Sequence, residues 1–150
     1  MTPDKEHGPA LMQQAADEAK TGIYIASKTK HAHRWRFLRD TVGEPVISTW
    51  IDEAEDYATL DWPDLWRRCI AEASSAEILI VYREPEEVLK GAWAEVGAAL
   101  ASGVTVYGVG IEEFSISKDA RIELFPSMKD AIAASRAALR TLTQEPSNAE

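Results

Sequence analysis

A glutamate lies on the apolar face of a predicted helix. Within residues 91–100, Ala92, Glu95, Val96 and Ala99 recur at i, i+3, i+4 and i+7, so one helical stripe carries three small apolar side chains and one carboxylate. An unpaired carboxylate is costly to remove from water, so Glu95 must be paired, protonated, or lining a cavity that water and a ligand reach. In the third case Glu95 is a functional residue.

Short apolar runs alternate with longer periodic stretches, which is typical of βαβ units and a mostly parallel sheet. We predict about five strands, at 22–27, 45–51, 78–82, 104–109 and 121–125. The third run is the most apolar and β-branched, so we expect it to be central and beside the first. We predict four helices. The first covers 31–42, and the second is capped by Asp61 and has Pro63 in its first turn. The third contains Glu95 and ends at Gly103, and the fourth covers 127–140. The second helix is expected to bury Leu65, Trp66, Cys69, Ile70 and Ala73.

The composition indicates one globular domain without an extended nucleic-acid partner. The 150 residues suffice for one core, and 16 basic against 25 acidic side chains give a net charge of -9, which repels polyanions. The single cysteine, Cys69, cannot form an internal disulfide and fits a reducing compartment. No apolar run approaches the roughly 18 residues of a membrane span, and no signal-peptide layout is present, so we expect a cytoplasmic protein that does not bind membranes. We predict an N-terminal extension at 1–20, a domain at 21–142 and a flexible C-terminal tail at 143–150.

Ligands of open α/β sheets bind at the carboxyl ends of the strands, near the switch in strand order. The loops expected at this edge carry both acids and bases. They provide Ser27, Lys28, Thr29 and Lys30 after the first strand, Trp50, Asp52 and Glu53 after the second, and Arg83, Glu84 and Glu86 after the third. His31 and His33 have no third ligand at a recognisable spacing, so we predict no metal site.

Three segments resemble the nucleoside 2-deoxyribosyltransferase family, including the related 2'-deoxynucleoside 5'-phosphate N-glycosidases. They are Ile23-Tyr24-Ile25-Ala26-Ser27, Ser48-Thr49-Trp50-Ile51-Asp52 and the stretch 90–100 with its Gly91-x-x-x-Glu95-x-Gly97 pattern, and the similarity extends over about 22–137. The resemblance implies a flavodoxin-like, Rossmann-like three-layer sandwich that uses no metal or organic cofactor. It also implies that Glu95 attacks the anomeric carbon of the sugar and that Tyr24 orients it. Members of this family assemble as oligomers that complete one another's sites, which implies a homodimer or a larger homo-oligomer.

The reaction of this family requires an ionised carboxylate. Displacing a base from C1′ passes through an oxocarbenium-like state, so a carboxylate on the opposite face can trap a covalent glycosyl intermediate, which water or a second base then releases. If the helix begins near Gly91, its dipole favours the ionised form of Glu95, whereas a start at Pro85 loses most of that effect. Gly91 would leave space for a sugar, and Gly97 would allow close packing on the sheet.

The loop after the third strand departs from the family pattern. The family carries aspartates there that hold the base and assist its protonation, whereas residues 83–90 of this chain contain no aspartate. Alternatives for the general acid are Glu84, Glu86 and Asp52, and Arg83 is a candidate for binding a carbonyl or a phosphate. Candidates for phosphate binding near the first helix are Ser27, Lys28, Lys30 and Arg34, and candidates for stacking on a base are Trp50 and Trp93. Nucleosides and nucleotides are both open as substrates.

The main candidates also have structural interpretations. Glu95 could be a buried hydrogen-bond or ion-pair partner of a Tyr or an Arg. Tyr24 could be a core aromatic residue whose hydroxyl has a hydrogen-bond partner. The acidic loop around Asp52 could be a solvated surface. Two other functions fit the same residues. One is a glycosidase that cleaves NAD or a nucleotide sugar, and the other is a nucleotide-binding sensor that has lost turnover. The altered loop after Tyr82 keeps the sensor hypothesis open.

Overall fold

The computed structural model describes residues 22–54 and 59–144, which form an α/β domain with a parallel sheet. The strands are β1 (Ile23–Ala26), β2 (Ile78–Tyr82), β3 (Thr105–Val109) and β4 (Ile122–Phe125). The α-helices are α1 (Ala32–Phe37), α2 (Trp62–Ser75), α3 (Gly91–Ala101) and α4 (Met128–Gln144). Shorter turns are the 3-10 helices Thr29–His31, Thr49–Asp52 and Ser115–Lys118, and a π-helical turn, Leu38–Val42, continues α1. The predicted extension at 1–20 and residues 145–150 of the predicted tail lie outside the described residues.

The described strands pair in the order β1-β2-β3-β4, and every pair is parallel. All residues of β1 and β2 are buried, as expected for apolar strands that are covered on both faces. Helix α3 packs on β1, β2 and β3 and against α2, whereas α4 packs on β2, β3 and β4. The predicted parallel sheet, with β2 next to β1, is therefore confirmed, and the layering is compatible with a Rossmann-like sandwich.

The sheet of the described residues has four strands rather than five, because the predicted second strand does not form. Val46 makes one isolated parallel bridge with Ile23 before the chain turns into a 3-10 helix. Side chains occupy the edge of β1 beyond that bridge. Ser48 Oγ accepts a hydrogen bond from the Ile25 N–H at 2.8 Å, and Trp50 Nε1 donates to the Ile25 carbonyl at 2.8 Å. These two bonds satisfy the backbone N–H and C=O of Ile25 without a strand partner.

Helix α2 begins as predicted, but its buried face differs. Asp61 caps it by accepting the Asp64 N–H at 3.1 Å, and Pro63 lies in the first turn. Of the five side chains expected to be buried, Cys69 and Ala73 are buried, Leu65 and Ile70 are partly buried, and Trp66 is 42% exposed. Trp66 lies against Gly91 at the start of α3, and there it contributes to a cavity wall rather than to the core.

Helix α3 begins at Gly91, the first of the two predicted starting points. Gly103 follows the helix with a φ of +78°, which fits the predicted C-terminal stop. The prediction for Gly97 is wrong, because this residue is exposed and a Cβ there would have no heavy atom within 4 Å. The last helix continues to Gln144, beyond the predicted end at 140.

Candidate active site

A cavity of about 290 Å³ opens between α2, the start of α3 and the loop that follows β1. It lies at the carboxyl end of β1, the edge at which open α/β sheets bind ligands. Its volume is near the lower end of the roughly 300–1,000 Å³ usual for small-molecule sites. The cavity is lined by Ser27, Lys28, Thr29, Trp50, Trp62, Leu65, Trp66, Cys69, Leu89, Lys90, Gly91, Ala92 and Glu95.

Glu95 and Tyr24 form a buried pair beside this cavity. The Tyr24 hydroxyl donates a hydrogen bond to Glu95 Oε1 at 2.7 Å. Tyr24 is fully buried in β1, and Glu95 is 8% exposed in α3. The strand and the helix therefore bring together two residues that are 71 positions apart in the chain. The bond occupies one carboxylate oxygen of a residue that lines the cavity.

Burial makes Glu95 a weaker acid than an ordinary glutamate. It raises the pKa of this carboxyl to about 7, and the carboxylate of Glu72 adds to the rise, whereas hydrogen bonds from Tyr24 and Cys69 oppose it. Burial also raises the pKa of Tyr24 well above its ordinary value and the pKa of the Cys69 thiol to about 12. Both groups therefore stay protonated at neutral pH and can act as hydrogen-bond donors. Among the described residues, the groups that act on the pKa of Glu95 are two neutral donors and one acid.

Glu72 is a second buried carboxylate in the same interior. Its Oε1 accepts the Thr49 N–H at 2.9 Å, and its Oε2 accepts the Thr49 hydroxyl at 2.7 Å. Burial raises the pKa of Glu72 as well, because these two bonds do not fully replace water. Glu72 therefore holds the 3-10 turn of Thr49 in place and adds to the negative potential near Glu95.

The start of α3 also faces the cavity. Gly91 and Ala92 lie in the cavity wall, and Lys90 precedes the helix without capping it through its side chain. Glu95 lies little more than one turn into the helix, where the helix dipole favours a negative charge. The space predicted beside Gly91 is partly filled, since a Cβ there would lie 2.9 Å from Trp66 Cη2.

Four of the predicted binding residues, Ser27, Lys28, Trp50 and Gly91, share the cavity with Glu95. Ser27 Oγ accepts a hydrogen bond from Trp35 Nε1 at 2.8 Å and donates to the Lys28 carbonyl at 2.9 Å. Trp50 is buried, and its indole N–H is already bonded to β1. Ser27 and Trp50 therefore have structural partners in addition to any contact with a ligand.

The other predicted binding residues are not brought to this cavity, and all but Glu86 have contacts elsewhere. Asp52 forms a bidentate pair with Arg39 at 2.9 Å on the surface. Arg83 Nε donates to the Glu87 carbonyl at 2.7 Å, and its NH1 reaches Glu113 at 2.7 Å. The remaining residues outside the cavity are Arg34, which pairs with Glu84 at 2.8 Å, the exposed Glu86, and Trp93, whose ring lies 5.4 Å from that of Phe114.

A separate polar cluster ties the loop after β1 to the loop after β2. His31 Nε2 lies 2.8 Å from Glu87 Oε2 and 3.8 Å from Glu84 Oε1, so three potential metal-ligand atoms lie within 4.8 Å of one another. Lys30 and Arg34 already form ion pairs with these two carboxylates, at 3.2 and 2.8 Å. The cluster therefore has the contacts of a hydrogen-bond network that fixes two loops next to the cavity.

Several cavity residues are not among the predicted site positions: Trp62, Leu65, Trp66, Cys69, Leu89 and Lys90. A signal for part of this set was present, because Trp62, Trp66 and Cys69 recur at i, i+4 and i+7 on α2. The apolar pattern predicts a core position for Trp66 and Cys69. A stripe that lines a cavity and a stripe that enters a core have the same apolar pattern.

No helix in the described part of the chain is both long and apolar enough to cross a membrane. No protein-family model matches the chain, and neither a curated protein nor a solved structure matches it.

Proposed function

We propose that this protein cleaves the N-glycosidic bond of a (deoxy)nucleoside or nucleoside 5'-monophosphate, with Glu95 as the nucleophile. The observation that carries the proposal is the buried Glu95 carboxylate, bonded to Tyr24 at 2.7 Å in the wall of a ligand-sized cavity. A carboxylate this deep is disfavoured in its charged form, so a role at a reacting cation accounts for its position better than a role in stability.

In the proposed first step, the free oxygen of Glu95 attacks C1′ of the sugar. The new C–O bond forms as the C1′–N bond breaks, and the electron pair of that bond goes to the base, which takes up a proton from solvent or from a nearby group. Tyr24 stays protonated and is a positioning residue, because its hydroxyl holds Oε1 of the carboxylate in place. In the second step, water or another base attacks C1′, returns the electron pair of the C1′–O bond to Glu95 and loses a proton to solvent.

Three features support a nucleotide-like substrate. Trp50, Trp62 and Trp66 give the cavity flat aromatic surfaces, which suit a heterocyclic base. Lys28 and Lys90 lie in the same wall as the start of α3, and this combination suits a phosphate. A nucleoside 5'-monophosphate would use both parts, although the lysines are not needed for the bond cleavage itself.

We further propose that the protein acts as a homodimer or a larger homo-oligomer. Trp62 is 60% exposed and Trp66 is 42% exposed, although both line the cavity. Exposed tryptophans grouped at a cavity mouth are typical of an interaction surface. A second subunit placed there would close the open side of the cavity.

Base release from deoxynucleosides and their 5'-monophosphates, with and without an acceptor base, tests the proposed reaction when followed by chromatography. We expect free base without an acceptor, or a new nucleoside with one, and a loss of at least roughly a thousandfold in Glu95→Gln. Glu123→Gln, which changes an exposed carboxylate of β4, is the matched control and should keep full activity.

Two outcomes would contradict the proposal. Base release that persists in Glu95→Gln would exclude Glu95 as the nucleophile. No release from any substrate, together with ligand-induced thermal stabilisation of the wild type, would instead indicate a nucleotide-binding sensor.

A further inference from the structure

We infer that the leaving group of the preferred substrate is a cationic heterocycle of the pyridinium class, attached to the sugar through its charged ring nitrogen. This inference rests on the proposed function. It adds the chemical class of the bond that is broken. Three independent features of the cavity carry it, namely its charge, its aromatic walls and the positions of the other acids.

The first feature is the uncompensated charge at Glu95. Its described hydrogen-bond partner, Tyr24, and the nearby Cys69 thiol are neutral, and the nearby Glu72 is another acid. A buried carboxylate without a cationic partner is unfavourable, and a ligand that brings a positive charge removes this penalty. Lys28 and Lys90 also line the cavity, but within the described part of the chain neither forms an ion pair with Glu95. The site near Glu95 therefore favours a cation, and the two lysines suit the anionic phosphate of the same molecule.

The second feature is the aromatic wall of α2. Trp62 and Trp66 lie one helical turn apart and both line the cavity, with Trp50 as a third tryptophan. The face of an indole ring attracts cations more strongly than those of the other aromatic side chains. A flat cationic ring stacked on Trp66 would combine this attraction with aromatic contact area, whereas a neutral base would gain only the second.

The third feature is the placement of the other carboxylates. Glu95 is the only carboxylate among the described residues of the cavity wall. Asp52 is paired with Arg39, Glu84 with Arg34, and Glu87 with His31, all outside this wall. The described part of the site thus provides a carboxylate nucleophile but no second carboxylic acid that could protonate a leaving base.

A pyridinium leaving group does not need such an acid. When the Glu95 oxygen forms its bond to C1′, the C1′–N bond breaks and its electron pair returns to the ring nitrogen. The ring leaves as a neutral pyridine, and no proton is transferred in this step. A purine or pyrimidine base would leave as an anion unless it was protonated. Water can then attack C1′, return the electron pair to Glu95 and lose a proton to solvent.

Binding of N-methylnicotinamide and nicotinamide tests the inference without turnover, because these rings differ by a charged N-methyl group and carry no sugar. We expect the cation to bind wild-type protein about tenfold more tightly and to lose this preference in Glu95→Gln. Trp66→Leu changes a half-exposed side chain and should reduce the preference as well, which provides a second variant with little effect on folding. Equal binding of the two rings to the wild type, or an unchanged preference in Glu95→Gln, would overturn the inference.

Turnover gives the second readout. Nicotinamide mononucleotide and its 2'-deoxy analogue should release nicotinamide faster than deoxyuridine monophosphate releases uracil, and the release should require Glu95. Glu95-dependent release of uracil without release of nicotinamide would overturn the inference but keep the proposed function. If neither substrate releases its ring in a Glu95-dependent manner, the inference fails, and the proposed function fails with it only if the other deoxynucleosides and 5'-monophosphates also release no base.

Discussion

Glu95 links activity to stability, because the proposed reaction needs its charge where the fold disfavours charge. Its pKa rises from the ordinary 4.5 to about 7, chiefly through burial. The protonated form therefore stabilises the folded state. This contribution is fully present below about pH 4.5 and is lost as the pH rises through 7, and it amounts to at most about 3 kcal/mol.

Glu95→Gln should therefore be more stable than the wild type at pH 8 and similar to it at pH 5. Glutamine resembles the protonated acid in shape and never ionises, so the variant lacks the loss that the wild type suffers above its pKa. Urea unfolding at the two pH values measures the difference, which we expect to reach about 1–3 kcal/mol at pH 8. If the difference in unfolding free energy between wild type and variant is the same at pH 5 and pH 8, the pKa of Glu95 is not raised.

Tyr24→Phe should shift the pH dependence of the proposed activity. The Tyr24 hydroxyl lowers the pKa of Glu95, so removing this donor raises it further and moves the acidic limb of the profile above its expected position near pH 7. We also expect kcat to fall by roughly 10–100-fold, because Oε1 loses its partner. The measurement is base release as a function of pH. Tyr107→Phe, on strand β3 of the same sheet, is the matched control and should leave the profile unchanged.

At the scale of the element, α3 carries two glycines with opposite surroundings. A Cβ at Gly91 would lie 2.9 Å from Trp66 Cη2, whereas a Cβ at Gly97 would meet nothing within 4 Å. The ring of Trp66 must move in the first case, and it lines the cavity. A substitution at Gly91 therefore tests the packing of the site, whereas the same substitution at Gly97 tests only the helix propensity of the residue.

Gly91→Ala should raise KM, and Gly97→Ala should leave the kinetics unchanged. Gly97→Ala should also raise the free energy of unfolding by roughly 0.5–1 kcal/mol, because alanine replaces glycine within an exposed part of the helix. Steady-state kinetics and urea unfolding of both variants provide the comparison. Equal effects of the two substitutions on KM would show that Trp66 does not contact the substrate.

The sequence predicts elements better than it predicts the direction of polar side chains. Four of the five predicted strands form because their apolar runs determine their burial. The run at 45–51 fails because Ser48 and Trp50 bond to the backbone of Ile25, a contact that no local pattern encodes. Likewise, the direction of Glu84 depends on Arg34, which lies 50 residues earlier. Glu95 could be identified because an apolar helical stripe makes a carboxylate conspicuous.

At the scale of the whole molecule, four of the eight exposed large apolar side chains among the described residues lie in the cavity wall or close to it in sequence, and we treat these four as one apolar patch. Trp62 and Trp66 line the cavity, whereas Leu60, which is fully exposed, and Val88, which is 64% exposed, are close in sequence to the cavity residues Trp62 and Leu89. A net charge of -9 opposes non-specific association. A patch of this kind on an acidic protein therefore favours a specific partner, and a second copy of the chain is the partner that we propose.

The double variant Leu60→Lys, Val88→Lys tests this interface without changing a cavity residue. Wild-type protein should elute as a dimer or a larger oligomer in size-exclusion chromatography with light scattering, since stable interfaces bury about 800 Å² per partner. The double variant should dissociate, because each subunit would bury two additional positive charges. Its base release should fall as well if the partner closes the open side of the cavity. Leu142→Lys, at an exposed position of α4, is the matched control and should remain associated. A wild type that is monomeric and fully active at micromolar concentration would show that one subunit contains the complete site.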